Sequence, residues 1–276
     1  MSLVLRCTVR GCGRPLVREA AALRCERGHA FDRGREGYWS LLQPQDRRSS
    51  AAGDRDAAID ARARWLARGF ADGLLAALGE TIDALALPRG AAAVDVGCGE
   101  GTITSRVLGG RGLDVCGIDL AVRGVRLAAR LAPGITWIVA NADRGLPFAD
   151  RSLALVLSVF GRRPTAEMAR VISAGGAAVV VLPGASDLVE LRAAAQGSAL
   201  ERDRVEDALA ALSGSFVLES RREWKATARH DRVALEDALA MSYRGVRSAE
   251  RARLATVDSL EVTAAAEILF LRPRFA

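Results

Sequence analysis

At 276 residues, half of them hydrophobic, the chain is long enough for one large domain with a full core and a small accessory domain beside it. It has no uninterrupted apolar run of the length that spans a bilayer, and its opening Met-Ser-Leu-Val-Leu-Arg-Cys is too short and too polar for a secretory leader, so a cytoplasmic protein is expected. The net charge of +6 is lopsided: residues 1–50 carry ten arginines against five acids, and Lys225 is the only lysine of the chain. A basic end of this kind suits a polyanionic partner, nucleic acid first, although a solvated arginine-rich face would give the same count.

The elements begin with a cluster of metal-ligand residues. Cys7-x4-Cys12, then twelve residues, then Cys25-x3-His29 offers three thiolates and one imidazole at spacings that suit a closed tetrahedral zinc site. With four protein ligands no position remains for water, so the zinc would be structural. Gly11, Gly13 and Gly28 sit where backbone must bend around the ion. Fifty residues with little apolar periodicity need such an ion to fold. An incidental cysteine group and a redox pair are the other readings. Gln43 to Ser50 reads as an exposed linker, Asp54 as the cap of a helix running to Leu66, with Gly69 breaking it, and a second helix covers Leu74–Leu85.

From Ala92 onward, strands and helices alternate. Strands are expected at Ala92–Val96, Leu113–Ile118, Thr136–Val139, Leu153–Ser158 and Ala177–Leu182, as short apolar runs that suit buried parallel strands. Helices fall between them at Thr102–Leu108, Val122–Leu131 and Ala166–Ile172, and Ser173–Gly176 reads as a sharp turn before the fifth strand. Helical segments follow at Asp187–Ala195, Leu200–Leu212 and Leu235–Met241, with strands at Phe216–Ser220 and Glu261–Leu271. The expected fold is α/β: a Rossmann-like sheet of seven mostly parallel strands with an antiparallel last strand, preceded by a small zinc-binding domain. The expected division is 1–50 for the zinc module, 51–88 for a helical linker and 89–276 for the catalytic domain.

One stretch carries chemistry. Val94-Asp-Val-Gly-Cys-Gly-Glu-Gly-Thr102 is a strand, a glycine turn and a helix start, and Asp119 closes the next strand eighteen residues after Gly101. Glycines let backbone approach a ligand closely, and the later carboxylate accepts hydrogen bonds from ribose hydroxyls. Asp95 and Glu100 flank the turn, and two carboxylates would repel a pyrophosphate at the helix N-terminus. They suit a ligand bearing an ammonium and a sulfonium, which points to S-adenosylmethionine; an ordinary glycine-rich strand–helix junction is the plainer alternative. Cys98 and Cys116 read as small packing residues, and His230 as a surface or capping histidine.

Residues 91–182 resemble the class I S-adenosylmethionine-dependent methyltransferases. The resemblance implies that Asp95, Gly97, Cys98, Gly99 and Gly101 surround the methionine end of the cofactor, that Asp119 holds the ribose, and that Leu120 touches the adenine. Asn141–Phe148 resembles the adenine loop, whose usual acid aligns with Ala142, leaving Asp143 one place later. A more specific resemblance is carried by Cys12-Gly-Arg-Pro-Leu16, Cys25-Glu-Arg-Gly-His29, Phe31-Asp32 and Arg35-Glu-Gly-Tyr-Trp-Ser-Leu-Leu42. Gly53-Asp54, Ala61-Arg62-x-Arg64-Trp-Leu66 and Gly69-Phe70 extend it. Together these resemble the 23S rRNA (guanine-N1)-methyltransferases. That family methylates one guanine in a large-subunit rRNA hairpin lining the peptide exit tunnel, as housekeeping enzymes or as protection of antibiotic producers against macrolides.

The chain departs from the family in the four-residue spacing of its first cysteine pair, in Phe160-Gly-Arg-Arg-Pro164 after the fourth strand, and in Met241–Arg247. On this resemblance 23S rRNA is the expected partner, with Arg14, Arg18, Arg47 and Arg48 as phosphate contacts and Phe160, Arg162 and Arg163 at the mouth where a base would stack. Ordinary packing is the alternative for Phe160. No membrane partner is expected, a homodimer is a candidate assembly, and no side chain stands out as general base. Two rival functions stay open. One is a small-molecule, natural-product methyltransferase; the other is a non-catalytic cofactor-sensing RNA-binding protein.

Overall fold

The computed structural model describes residues 3–19, 21–43, 54–197, 205–242 and 248–274. Arg47, Arg48, most of the expected linker, Gly53, the start of the helix expected at Leu200 and residues 243–247 lie outside them.

The main sheet grows from strands that are buried on both faces. All five residues of β5 (Ala92–Val96) are buried, and it pairs in parallel with β6 (Asp114–Asp119) on one side and β8 (Leu153–Val159) on the other. β7 (Thr136–Val139) continues the parallel order beyond β6, and β9 (Ile172–Pro183) beyond β8. β11 (Ser259–Pro273) then runs antiparallel to both β9 and β10 (Phe216–Asp231). The seven expected strands therefore form, with the antiparallel strand where it was placed.

The sheet nevertheless has eight strands among the described residues, in the order β10-β11-β9-β8-β5-β6-β7-β4. The extra strand is β4 (Trp39–Ser40), a two-residue piece of the amino-terminal module that pairs in parallel with β7 through Trp39↔Ile138 and Ser40↔Val139. Two residues carry no periodicity, so the sequence alone could not announce it.

The rest of the module is a three-stranded antiparallel sheet, β1 (Val17–Glu19), β2 (Ala22–Arg24) and β3 (Ala30–Asp32). Its Leu5, Leu23, Phe31, Trp39 and Leu41 belong to the same buried cluster as Val96, Ile118 and Ile138. Backbone bonds add to this: Arg6 N–H donates to Pro147 O at 2.8 Å and Leu41 N–H to Val139 O at 2.9 Å. The module is thus fused to the sheet edge beside the β6–β7 loops.

Helices cover both faces. α2 (Asp72–Asp83) lays Leu74, Leu75, Leu78 and Ile82 against Ala93, Leu155, Leu157 and Val179, while α4 (Val122–Leu131) packs Val125, Ala128 and Ala129 against Trp137 and Val139. α3 (Thr102–Val107) follows the glycine turn, and α5 (Thr165–Val171) precedes β9. α1 (Asp56–Ala67) joins α6 (Val189–Gln196), α8 (Arg232–Ser242) and α9 (Ser248–Leu254) around Trp65, Leu191, Leu235 and Leu254. α7 (Val205–Ser213) buries Leu212 beside Phe216.

Four local expectations are corrected. Asp54 does not cap α1, whose N-cap position is Arg55; its carboxylate accepts from Arg62 instead. Ser173–Gly176 is not a turn ahead of a strand but an irregularity inside β9, where Gly175 adopts φ +79° and the pairing with β8 jumps from Leu153↔Ile172 to Leu155↔Ala177. β10 runs to Asp231 instead of stopping at Ser220. Its outer residues are charged, so no apolar run marks it; it is held by pairing with β11 along its length, broken only by a bulge between Leu218 and Ser220, and by cross-strand ion pairs such as Arg221–Glu267 at 2.9 Å.

His230 is neither a surface nor a capping residue. It is 1% exposed, its Nε2 accepts from Trp65 Nε1–H at 3.0 Å, and Phe70 stacks on its ring at 3.8 Å between centroids. Its Nδ1 lies 2.9 Å from Ala228 O, which fits a neutral imidazole protonated there. Burial pushes its pKa below the usual imidazole value. The capping is done by its neighbour: Asp231 Oδ1 accepts from Ala234 N–H at 2.9 Å.

Candidate functional site

The turn after β5 can exist only because of its glycines. Gly97, Gly99 and Gly101 sit at φ +86°, +56° and +82°, in the left-handed region that side chains avoid. Gly97 and Cys98 both donate backbone N–H to Ile118 O, at 2.8 and 3.0 Å, which welds the turn to the end of β6. At that end Asp119 closes the unit: Gly99 N–H donates to its Oδ2 at 2.9 Å, and Ala121 N–H to its Oδ1 at 2.7 Å. Each oxygen keeps a further lone pair, so the carboxylate can also accept from two ribose hydroxyls. Burial raises its pKa, an effect its two backbone donors oppose.

Asp95 lies beneath the turn, 2% exposed. Thr104 Oγ1–H donates to its Oδ2 at 2.5 Å, while its Oδ1 is buried without a hydrogen-bond partner among the described residues. Burial pushes the Asp95 carboxyl up to about 7, against the pull of Thr104. An orphaned buried acceptor is costly unless a ligand completes it.

The residues here fit S-adenosylmethionine: glycine backbone for close approach, an acceptor under the turn with no partner among the described residues, and a carboxylate at the end of β6 that can take hydroxyl donors. Cys98 is 6% exposed and, like Cys116, is a small packing group, as expected. Leu120 directly follows Asp119, and Ala142 and Asp143 lie in the short 3-10 turn Ala142–Arg144, where Asn141 Oδ1 accepts from Asp143 N–H at 3.1 Å.

Beyond the cofactor turn stands the end of β8. Phe160 is 46% exposed and is one of the few non-glycine residues with positive φ, +54°, its N–H fixed to Val181 O at 3.0 Å. Strain of this kind persists only where the surrounding structure imposes it. Gly161 allows the approach to Gly97, since a Cβ there would meet Val96 O at 3.1 Å. Arg162 pairs with Asp143, tying the loop after β8 to the loop after β7. Arg163 donates to Gly161 O at 3.0 Å.

In the amino-terminal module, Cys7, Cys12, Cys25 and His29 bring their ligand atoms within 4.8 Å of one another. Cys7 Sγ and Cys25 Sγ each lie 3.4 Å from His29 Nδ1, and Cys12 Sγ lies 3.8 Å from Cys25 Sγ. A tetrahedral zinc with its usual bond lengths needs separations of about 3.5–3.8 Å between such atoms. The four-residue spacing of the first pair is absorbed by a turn in which Cys12 N–H donates to Val9 O at 2.9 Å. The donor set fits structural zinc.

Of the expected phosphate contacts, Arg14 is exposed and paired with Glu26 at 3.0 Å, and the Arg18 guanidinium lies 5.6 Å above the Trp39 ring. A cavity of about 870 Å³ opens between the module and residues 140–150, lined in part by Arg6, Arg10, Asn141 and Arg144. Sequence reasoning missed Arg62. Its side chain reaches from α1 onto the glycine turn, with Nε donating to Glu100 at 2.7 Å and Nη1 to Asp54 at 3.0 Å. Its motif was visible, but nothing in a segment more than thirty residues upstream announces that contact.

Comparison with known proteins follows the same division. A family model described as "Methyltransferase domain" matches residues 93–176, and one described as "RlmA, N-terminal" matches residues 5–50. The 23S rRNA (guanine(748)-N(1))-methyltransferase of Streptomyces fradiae is 35% identical over 246 residues, 86% of this chain and 84% of that protein. A Micromonospora griseorubida protein, named provisionally as a 23S rRNA (guanine-N1)-methyltransferase, is 37% identical over 68% of each chain. A solved Bacillus halodurans structure, titled provisionally as a methyltransferase, matches with a TM-score of 0.53 at 16% identity, covering 71% of this chain and 97% of that one, and so supports the fold alone. With the cofactor turn, the Cys3His cluster and a relative matched at 35% identity over 84% of its length in agreement, the chain belongs to the 23S rRNA (guanine-N1)-methyltransferase family.

Proposed function

We propose that the protein methylates N1 of one guanine in a hairpin of 23S rRNA, with residues 1–50 as the RNA-recognition module, 51–88 as a helical connection and 89–276 as the methyltransferase domain. The observation that carries this reading is the fusion of the Cys3His module to the sheet edge through β4 and β7, beside the loops that border the cofactor turn. RNA gripped by the module is thereby held at a fixed distance from the transfer site.

S-adenosylmethionine supplies an electrophilic methyl group on sulfonium, and the chain's residues do the rest. Gly97–Gly101 let backbone close on the methionine end, Asp119 orients the ribose, and Asn141–Asp143 border the adenine. Guanine N1 is on the Watson–Crick edge, so the base must be unpaired or turned out of its helix before it can be reached. Phe160, held exposed at the mouth, offers a stacking face, and Arg14, Arg18 and Arg162 offer guanidinium groups to phosphates. Positioning of the two reactants supplies much of the rate.

The test is incubation with S-adenosylmethionine carrying a labelled methyl group and protein-free, unmodified 23S rRNA. Label entering the RNA supports the proposal. Bound cofactor with no label in RNA at low salt sinks it and turns the reading toward a small-molecule acceptor.

A further inference from the structure

We propose that Arg62 takes the carboxylate of the cofactor's methionine end, and that Glu100 and Asp54 serve to aim its guanidinium. The proposal rests on S-adenosylmethionine being the ligand of the glycine turn.

The geometry is that of a fork with two faces occupied and one presented. Arg62 Nε donates to Glu100 Oε2 at 2.7 Å and Nη1 donates to Asp54 Oδ2 at 3.0 Å, whereas Nη2 has no partner among the described residues. A Cβ on Gly99 would lie only 2.0 Å from that free nitrogen. Gly99 is therefore what allows the guanidinium to lie on the turn, and Nη2 is held at the surface where backbone meets ligand. Glu100 is 4% exposed and Arg62 is about a quarter exposed, so the pair is largely shielded from water on one side and open on the other.

Charge explains why a cation is needed here. Asp95, Glu100, Asp119 and Asp54 surround the turn, and the field of Arg62 reaches both Asp95 and Asp119. Four carboxylates welcome the ligand's ammonium and sulfonium but repel its carboxylate. A guanidinium with two donors engaged and a third free answers that repulsion with a charge-assisted hydrogen bond. A buried ion pair is weak evidence for stability as such, whereas fixing a donor's direction is a role it performs well. Arg62 would then reject adenosine ligands that lack the amino-acid end.

The experiment is isothermal titration of the full chain with two ligands, S-adenosylhomocysteine and 5′-methylthioadenosine. They share adenosine and thioether, and only the first has the amino-acid group. In Arg62→Met the affinity for S-adenosylhomocysteine should fall about 10- to 100-fold, the scale of one charge-assisted bond. The affinity for 5′-methylthioadenosine should stay within about twofold, because none of its atoms meets Arg62. Arg62→Lys, which keeps the charge but loses the fork, should fall between.

Removing Arg62 leaves Glu100 buried and unpaired, so Arg62→Met/Glu100→Gln is the second variant; it should show the same selective loss, with 5′-methylthioadenosine binding as proof of a folded site. Equal weakening of both ligands in the double variant, or unchanged S-adenosylhomocysteine binding, overturns the proposal. A wild-type chain that binds neither ligand overturns the cofactor reading beneath it, which is a separate and recognisable outcome.

Discussion

Substituting Gly101 by alanine tests whether the cofactor turn is built as the geometry says. The residue sits at φ +82°, which costs a side-chain-bearing residue about 1–2 kcal/mol. A Cβ there would also stand 2.5 Å from Ala128 Cβ, 2.9 Å from Ala128 Cα and 2.7 Å from Trp137 Cη2. Neither neighbour yields easily. Ala128 is fully buried on α4, and Trp137 is 1% exposed with its Nε1–H tied to Ala132 O at 2.8 Å. Overpacking of this kind adds about 1–3 kcal/mol, so Gly101→Ala should cost about 2–5 kcal/mol in all. Gly110→Ala is the matched control: φ is +75° but nothing lies within 4 Å, so only the backbone cost of about 1–2 kcal/mol applies. Urea denaturation of the cofactor-free protein, followed by circular dichroism, measures both. Equal losses of stability in the two variants would refute the packing argument.

Three other outcomes follow from the site. Cys25→Ser should lose the zinc equivalent and expose the module to trypsin, abolishing methyl transfer to RNA while S-adenosylhomocysteine still binds; retention of stoichiometric zinc by the variant would contradict the assignment. Asp95 has a folded pKa raised to about 7 from 3.8, so its contribution is fully present below about pH 4 and lost as pH rises through 7. The cofactor-free wild type should therefore lose stability relative to Asp95→Asn between pH 4 and 8, and a flat or rising difference would contradict this. Arg14→Ala should lower the slope of log K for RNA against log salt by about 1, whereas an unchanged slope would remove Arg14 from the phosphate contacts.

What the sequence disclosed follows from burial. β5 to β8 were placed within a residue or so at each end because parallel strands covered on both faces are written as unbroken apolar runs. β10 defeated that reading over most of its length because its outer residues are charged and its partner strand holds it. The three cysteines and His29 were legible as a group because metal ligation demands particular side chains at short spacing. His230 and Arg62 were not, because their partners come from distant segments. Trp65 reaches His230 across 165 residues, and Arg62 reaches Glu100 across 38. Contacts between helices and remote loops leave no local signature.

Methyl transfer to N1 of a guanine in 23S rRNA leaves a chemical mark that can be read without any further assumption. Nuclease digestion of the treated RNA followed by nucleoside mass spectrometry, with a parallel primer extension, reads this directly. The expected result is 1-methylguanosine in one hairpin and a reverse-transcriptase stop at that position, since a methyl on N1 blocks Watson–Crick pairing. A methylated nucleoside other than 1-methylguanosine, or labelled RNA without a stop, would contradict it.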